Sequence, residues 1–345
     1  MKAKWFPILL MALGLALLLS ACGGNNGGNG NNAGNKTNNA GQTNEATSTP
    51  EATGTPDAAK FPRTIKDANG EVTIKEQPKK IAVVHWGYAD SLLLFNVDSV
   101  GLALPFTEKQ SVLHSDEYKP YVDKVKDIQI VGENTQVNME KLLAYAPDLI
   151  IAGNAVNKDI AAELTKIAPT VVIDEQQTDV FSNWPALVTK FGEILGQEDV
   201  AEQYVSKYNA DLAAAKEKLA SLDGNVAFVQ VRENEVWLQG TNYTKQYYVG
   251  MDLKAPTSDA MADGEKISLE GLSALDPDYL FLGYFNYSDK TLPAATDQWE
   301  NSEVWKKLKA VANNHVYSIN GELALGYGPI GNSYGVQAVL EALQK

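Results

Sequence analysis

The sequence predicts an α/β protein of two Rossmann-like lobes with mostly parallel sheets, joined by one long α-helix. The first observation behind this fold class is a duplication, because Val137–Gly153 aligns without a gap with Ile267–Gly283, 130 positions further along the chain. The second is the succession of apolar strands and helical segments in each half, which is typical of parallel sheets. The third is an uninterrupted helical pattern, Glu198–Leu222, between the two copies.

The first 60 residues carry export and attachment signals. Residues 1–21 have the charged start and the short apolar run, Ile8–Leu19, of a signal peptide. Leu19-Ser20-Ala21-Cys22 is similar to the bacterial lipobox, in which the cysteine becomes the lipid-bearing first residue of the mature protein. The alternative is an ordinary secretory signal with an incidental cysteine. Residues 22–60 are rich in Gly, Asn and Thr, so they are predicted to form a flexible tether.

Length and charge narrow the classes of function. Residues 61–345 are long enough to bury two cores. The formal net charge of −14 argues against a nucleic-acid partner and against adhesion to anionic lipid through basic patches. Cys22 is the sole cysteine, so no disulfide can form within the chain.

The N-terminal lobe is predicted to span residues 61–197. It opens with a hairpin around Asp67-Ala68-Asn69-Gly70, because Asn-Gly favours a two-residue turn. An apolar strand at Lys80–Val84, a helix at Ala89–Phe95 and a strand at Val100–Leu104 then form a βαβ unit. Further short strands are predicted at Ile128–Val131, Leu149–Ala152 and Val171–Ile173.

Residues 198–222 are predicted to form the helix that links the lobes. This stretch has no Gly or Pro, and 25 residues in a helix make a rod of about 37 Å. The alternative is a long surface helix of one lobe. The C-terminal lobe then spans residues 223–345, with Trp299 and Trp305 expected on a helix that faces its core. Its predicted strands and final helix are Val226–Val231, Val236–Leu238, Tyr279–Leu282, Val316–Ile319 and Asn332–Leu343.

Each copy of the duplicated segment predicts a short helix that leads into a buried strand. Asn138 and Ser268 are suited to N-cap positions, since a short polar side chain can accept a hydrogen bond from a free helix N–H. Pro147 and Pro277 push the preceding residue out of helical geometry, and an apolar run follows in both copies.

Several segments resemble the periplasmic binding proteins that serve iron-siderophore and cobalamin ABC importers: PKKIAVV, VGENTQVNMEKLLAYAPDLIIAG, LTKIAPTVVID, FVQVRENEVW, ISLEGLSALDPDYLFLG, VWKKLKAVANNHVYSI and GYGPIGNSYG. The resemblance covers Arg63–Lys345. It implies two α/β lobes joined by one helix, small lobe closure and a monomer. It also implies a lipid-anchored protein on the outer side of a bacterial cell membrane, which delivers its ligand to a permease dimer driven by a cytoplasmic ATPase.

The resemblance also implies that Glu140 and Glu270 dock onto the permease. Members of this family carry one exposed glutamate on each lobe that binds permease arginines, and these two residues occupy the same place in the two copies. The alternative is that each glutamate only favours its helix dipole.

The ligand cleft is expected between the lobes, beside loops that leave the carboxyl ends of the strands. Arg232 ends an apolar strand, and its forked donors suit carboxylate, hydroxamate or catecholate oxygens. The resemblance implies this role in the hydroxamate branch, and the alternative is a structural ion pair. The other candidates are aromatic or polar residues near strand ends: Trp86, Tyr88, Asn154, Trp237, Tyr243, Tyr284, Tyr287 and Tyr327.

The predicted ligand is a ferric siderophore, with hydroxamate or citrate-hydroxamate types favoured over catecholates. Such a complex brings its own iron ligands, so neither a protein metal site nor a cofactor is expected. The three histidines are widely separated, in agreement with this expectation. A haem-binding member, through His85 or a tyrosine, and a cobalamin-binding member are the alternatives.

A remote alternative is a secreted esterase, because Gly331–Gly335 satisfies G-x-S-x-G with Ser333 at its centre. An α/β-hydrolase requires an acid and then a histidine later in the chain. No histidine follows Ser333. The chain is therefore predicted not to be an enzyme.

Overall fold

Two main sheets, one before and one after the longest helix, form the framework of the computed structural model, which describes residues 60–344. The predicted signal peptide, the candidate lipidation site Cys22 and the tether up to residue 59 lie outside the described residues. Within residues 60–344 no helix combines the length and the apolar character that a membrane span requires. The predicted α/β class is confirmed.

The strands of the first half are β1 Arg63–Asp67, β2 Gly70–Ile74, β3 Lys80–Val83, β4 Ser99–Ala103, β5 Asp127–Glu133, β6 Gln136–Val137, β7 Leu149–Gly153 and β8 Thr170–Ile173. Six of them form the first main sheet in the order β6-β5-β4-β3-β7-β8, and all neighbours are parallel except β5 and β6. The helices of this half are α1 Ala89–Leu93, α2 Lys119–Val122, α3 Met139–Tyr145, α4 Ala161–Ile167 and α5 Trp184–Leu195.

The predicted hairpin is formed by β1 and β2, but its turn lies one residue earlier than the Asn-Gly pair suggested. Asp67 pairs with Gly70, so Ala68 and Asn69 form the loop. The cause is a local hydrogen bond, because the carboxylate of Asp67 accepts from the backbone N–H of Asn69 at 2.8 Å.

The strands of the second half are β9 Val226–Val231, β10 Val236–Gln239, β11 Gly264–Lys266, β12 Tyr279–Tyr284 and β13 Val316–Asn320. They form the second main sheet, which is mixed, in the order β11-β10-β9-β12-β13. Strands β9, β12 and β13 are parallel, while β10 and β11 are antiparallel to their neighbours. The tight turn after β9, closed by the Arg232 N–H on the Glu235 carbonyl at 2.9 Å, forces β10 to run back along β9.

The helices of this second half are α7 Leu269–Leu275, α8 Glu303–Lys307, α9 Lys309–Ala312, α10 Gly321–Ala324 and α11 Pro329–Leu343. Trp305 lies on α8 and is buried, as expected. Trp299 was expected on a helix as well, but it follows a 3₁₀ turn and is half-buried, with its ring 6.3 Å from that of Trp305.

The longest helix, α6, runs over Glu198–Lys218 and ends four residues before the predicted Leu222. Its buried side chains, Ala201, Tyr208 and Ala215, recur every seven residues and form one narrow stripe. Beyond its end, Leu219 is buried in the core and Leu222 packs against it.

The duplicated segment forms the same unit twice. The side chains of Asn138 and Ser268 accept hydrogen bonds from the first turns of α3 and α7, which confirms both predicted N-caps. Both helices stop at a residue with left-handed backbone geometry, Ala146 with φ 49° and Asp276 with φ 42°, just before the prolines. The sequence therefore fixes equivalent local structure in both lobes.

A second equivalence concerns the aspartates that follow the repeated prolines. The carboxylate of Asp148 accepts from the backbone N–H groups of Lys79 and Lys80 at 2.9 and 3.0 Å, where β3 begins. The carboxylate of Asp278 accepts from the N–H of Asn225 at 2.9 Å, directly before β9. Each aspartate thus joins its unit to the start of the neighbouring central strand.

One hydrophobic cluster crosses from one half of the chain to the other. It contains side chains of β3, β4 and β7 from the first sheet, the buried stripe of α6, and side chains of β9, β12 and α11. Each sheet also has a smaller hydrophobic cluster on its other face. The two halves therefore share one hydrophobic core.

Candidate ligand-binding cleft

A cleft of about 330 Å³ lies where loops from the carboxyl ends of both sheets meet, which is the usual place for ligands in α/β folds. The first half contributes residues that follow β3 and β4 and residues of later loops: Trp86, Ala89, Asp90, Leu104, Pro105, Phe106, Gln110, Ser111, Val112, Leu113, Tyr118, Thr135 and Phe181. The second half contributes residues at or after the ends of β9, β12 and β13: Gln230, Arg232, Phe285, Glu322, Leu325, Gly326 and Tyr327.

Three aromatic rings join the two walls of the cleft. Tyr327 of the second half packs edge-on against Trp86 at 5.2 Å and against Phe181 at 5.7 Å between ring centroids. The rings of Trp86 and Phe181 are 6.3 Å apart. Such a group offers a large, rigid apolar surface to a ligand with an organic body.

Arg232 is the only cation that lines the cleft among the described residues. Its guanidinium lies over the ring of Phe285 at 4.6 Å and donates one hydrogen bond to Gln230 at 3.3 Å. The side chain is exposed, and within residues 60–344 no carboxylate pairs with it, so the structural ion pair considered above is absent. The remaining guanidinium donors are available to anionic or polar oxygens.

Two carboxyl groups also line the cleft. Asp90 lies at its floor, almost fully buried, and accepts a hydrogen bond from the hydroxyl of Tyr118. Burial raises the pKa of Asp90 to about 7. Glu322 is half-buried, and its burial raises the pKa to about 7 although the charge of Arg232 opposes the shift. Both groups therefore titrate near neutral pH.

A more open groove of about 420 Å³ continues from the cleft past Arg232. The groove shares Phe181, Gln230, Arg232 and Leu325 with the cleft. It adds two residues, Trp237 and Tyr243, which are 37% and 55% exposed. Cleft and groove together form one continuous concave surface with aromatic walls.

The structure separates the nine sequence-predicted ligand residues into three groups. Arg232, Trp86 and Tyr327 line the cleft, and Trp237 and Tyr243 line the groove. The remaining four line neither: Tyr88, Asn154, Tyr284 and Tyr287.

Those four residues are engaged elsewhere. Tyr88 has no exposed surface and stacks on His85 at 4.0 Å, so in this conformation it offers nothing to a ligand. The amide oxygen of Asn154 accepts from the backbone of Glu175, and the hydroxyl of Tyr284 pairs with Thr296. Tyr287 lies beside Lys290 on the surface that follows β12.

Several cleft residues escaped the sequence analysis, notably Asp90, Phe106, Phe285 and Glu322. Phe285 directly follows β12 and Phe106 follows β4, so the strand-end rule applied to every strand would have included both. Asp90 and Glu322 lie on short helices, and only the tertiary structure brings them to the cleft.

His85, the residue considered for a haem-binding alternative, is buried behind the cleft. Its Nδ1 accepts from the backbone N–H of Gly87 at 3.0 Å, and its Nε2 lies 3.6 Å from the carboxylate of Glu175. Burial lowers its pKa to about 4, so the ring is neutral at physiological pH. With both nitrogens occupied, His85 has no free ligand position in this conformation. In the described part of the chain no cluster of His, Asp or Glu is arranged to hold a metal ion.

Ser333 is the fifth residue of α11, inside the helix and not on a strand-to-helix elbow. A loop separates this helix from the preceding α10, and the Ser333 hydroxyl lies 2.9 Å from the hydroxyl of Tyr204. The geometry that G-x-S-x-G provides in hydrolases is therefore absent here.

Glu140 and Glu270 are both exposed in the first turns of α3 and α7. Neither side chain has an ion pair or a hydrogen bond within residues 60–344. Their equivalent positions follow directly from the equivalent N-caps.

The fold and the cleft define a two-lobed solute-binding protein, and comparison with known proteins agrees. Residues 81–323 match the periplasmic binding protein family. The iron(3+)-hydroxamate-binding protein YxeB of Bacillus subtilis strain 168 is 31% identical over 295 residues, which cover 82% of this chain and 85% of YxeB. YhfQ of the same strain, described as a putative ABC transporter substrate-binding lipoprotein, is 28% identical over 289 residues, covering 80% and 85%.

A solved structure is also similar over most of the chain. The FhuD-fold periplasmic binding protein of a Fep/Fec-like ferrichrome ABC transporter from Bacillus subtilis has a TM-score of 0.65 and 27% identity, covering 81% of this chain and 100% of that one. The chain belongs to the periplasmic binding protein family, and the resemblance to its iron-siderophore class is confirmed.

Proposed function

We propose that this chain is the lipid-anchored solute-binding subunit of an ABC importer and that it captures a ferric siderophore outside the cell membrane. The observation that carries this proposal is the cleft itself. It combines an aromatic and apolar wall with one arginine whose donors are open, and the described residues include no cluster of metal ligands. These features suit a bulky chelate that brings its own iron ligands.

Within the siderophores, hydroxamate or citrate-hydroxamate types are favoured over catecholates. The free donors of Arg232 match the partly negative oxygens that a hydroxamate presents around its iron. The relative YxeB is named for binding iron(3+)-hydroxamate, which supports the same class. The iron complex is cargo in this proposal, and the protein needs no resident cofactor.

Attachment and delivery complete the proposed function. Lipid on Cys22 would hold the chain at the membrane, and the lipoprotein relative YhfQ supports this anchor. Glu140 and Glu270 would dock a monomeric, loaded protein onto a permease dimer, and a cytoplasmic ATPase would drive transport. Their exposure and their lack of partners in the described part of the chain suit charge-assisted contacts with arginines.

Quenching of tryptophan fluorescence tests the ligand class, because Trp86 lines the cleft and Trp237 lines the groove. The panel contains ferrioxamine, ferrichrome, a citrate-based siderophore, a catecholate, haem and cobalamin. We expect saturable quenching by ferric hydroxamates and weaker binding of the iron-free forms. Calorimetry with the gallium complexes excludes absorption by iron as the cause. Binding of haem or cobalamin without any ferric siderophore would overturn the proposal.

A further inference from the structure

Acidic side chains outnumber basic ones around the cleft and its groove. Arg232 is the one cation among the described lining residues. Asp90 and Glu322 line the cleft, and Asp263 and Glu265 line the groove. The surface that receives the ligand therefore carries four carboxyl groups against one guanidinium, although burial leaves two of them, Asp90 and Glu322, only partly ionised near neutral pH.

Glu322 is the carboxylate best placed to act on a ligand. It is half-buried in α10, where its backbone N–H bonds to the side chain of Asn320, but its own side chain has no hydrogen bond or ion pair within residues 60–344. Arg232 lies close enough to influence its ionisation without pairing with it. Asp90 is almost fully buried and accepts from Tyr118 through one oxygen, Asp263 accepts from Asn242, and Glu265 lines only the more open groove. Glu322 thus retains its full capacity to accept hydrogen bonds.

A ferric chelate brings a net charge that depends on its ligand type. Three hydroxamates neutralise the three positive charges of iron, whereas three catecholates leave the complex with three negative charges. A strongly anionic complex would have one cation to pair with and would oppose ionisation of Asp90 and Glu322, which is unfavourable where water is excluded. A neutral centre that carries an ammonium group would instead find an open carboxylate.

We infer that this cleft selects ferric chelates by net charge, and that Glu322 is a specificity-determining residue that receives a positively charged arm of the chelate. The inference rests on the proposed function, because it requires a ferric chelate in the cleft. Arg232 binds oxygens around the iron, and Glu322 binds the ammonium group on the organic arm. The predicted class of ligand is a trihydroxamate complex of neutral or positive charge with a pendant amine.

A matched pair of probes tests this assignment. Ferrioxamine B carries a terminal ammonium group, and N-acetyl-ferrioxamine B is the same chelate without that charge. We expect the unmodified protein to bind the ammonium form about tenfold more tightly. In Glu322→Gln the ratio of the two dissociation constants should fall close to one. Glu300→Gln, the same change at an exposed residue outside the cleft, should keep the ratio.

A charge reversal gives an independent measurement. Glu322→Lys should prefer N-succinyl-ferrioxamine B, whose arm is negative, over the ammonium form. Thermal unfolding of each variant verifies that it is folded. Equal affinity of the unmodified protein for both probes would overturn the inference, as would an unchanged ratio in Glu322→Gln or tighter binding of a ferric tricatecholate. Each of these results leaves siderophore binding intact, whereas failure to bind any ferric siderophore would remove the proposed function and this inference together.

Discussion

The two halves of this protein share a folding unit but contribute different chemistry to the cleft. The first half supplies a mainly apolar wall, with Leu104, Phe106 and Leu113 among its residues, and a single charged group in the described chain, the buried Asp90. In the second half, the residues at the end of β9 and beyond β13 include Arg232 and Glu322. The duplicated helix-strand unit therefore provides the common framework, and the cleft is lined by loops and short helices outside it.

The two halves are most alike at the proposed docking positions, where each presents an exposed glutamate, Glu140 or Glu270, in the first turn of its helix. We expect Glu140→Ala combined with Glu270→Ala to reduce siderophore uptake by cells about tenfold or more, because both contacts with the permease are lost. Binding of the siderophore to the purified double variant should be unchanged. Each single variant should have a smaller effect on uptake.

A matched control removes glutamates that are exposed but lie outside the repeat, Glu163→Ala with Glu300→Ala. This control should transport normally. Normal uptake in the Glu140 and Glu270 double variant would contradict the docking role.

The chain has two arginines, one in each half. Comparing them separates a structural role from the proposed ligand-binding role. Arg63 pairs with Glu198 at 2.7 Å and donates to the backbone carbonyl of Glu193, so it joins β1 to the helices. Arg232 has no such partner. We expect Arg232→Ala to weaken binding of a ferric hydroxamate about tenfold to a hundredfold without loss of stability.

Arg63→Ala should show the opposite pattern. The free energy of unfolding should fall by about 1 kcal/mol because an ion pair and backbone hydrogen bonds are lost, while the dissociation constant stays the same. Titration calorimetry and urea unfolding of both variants separate the two effects. Unchanged affinity of Arg232→Ala for every siderophore in the panel would exclude its role in binding.

The smallest expected effect concerns the helix ends of the two units. Ala146 is exposed and adopts left-handed geometry without any compensating side-chain contact, so Ala146→Gly should raise the free energy of unfolding by about 1 kcal/mol. Asp276 adopts the same geometry, but its carboxylate accepts from the backbone N–H of Lys309 at 3.0 Å and pairs with the Lys309 ammonium at 3.4 Å. Asp276→Gly should therefore give no gain in stability. Equal gains in urea unfolding would show that these contacts contribute nothing.

Local sequence was sufficient for most of the framework. The N-caps at Asn138 and Ser268, the break before each proline and the central strands all follow from short-range preferences of the backbone and side chains. The strand-end rule likewise led to Trp86 and Arg232, because a parallel sheet brings its carboxyl ends to one edge whatever the loops do.

Tertiary packing decided which of these side chains reach the cleft. Tyr88 and Trp86 are two residues apart, yet Tyr88 packs into the core against His85 and Trp86 faces the cleft, a difference that no local preference encodes. Asp90 and Glu322 are distant in sequence and come to the same cleft because α1 and α10 pack beside it. The charge of the binding surface is a sum over residues that only the folded chain brings together, so its selectivity cannot be derived from any one segment.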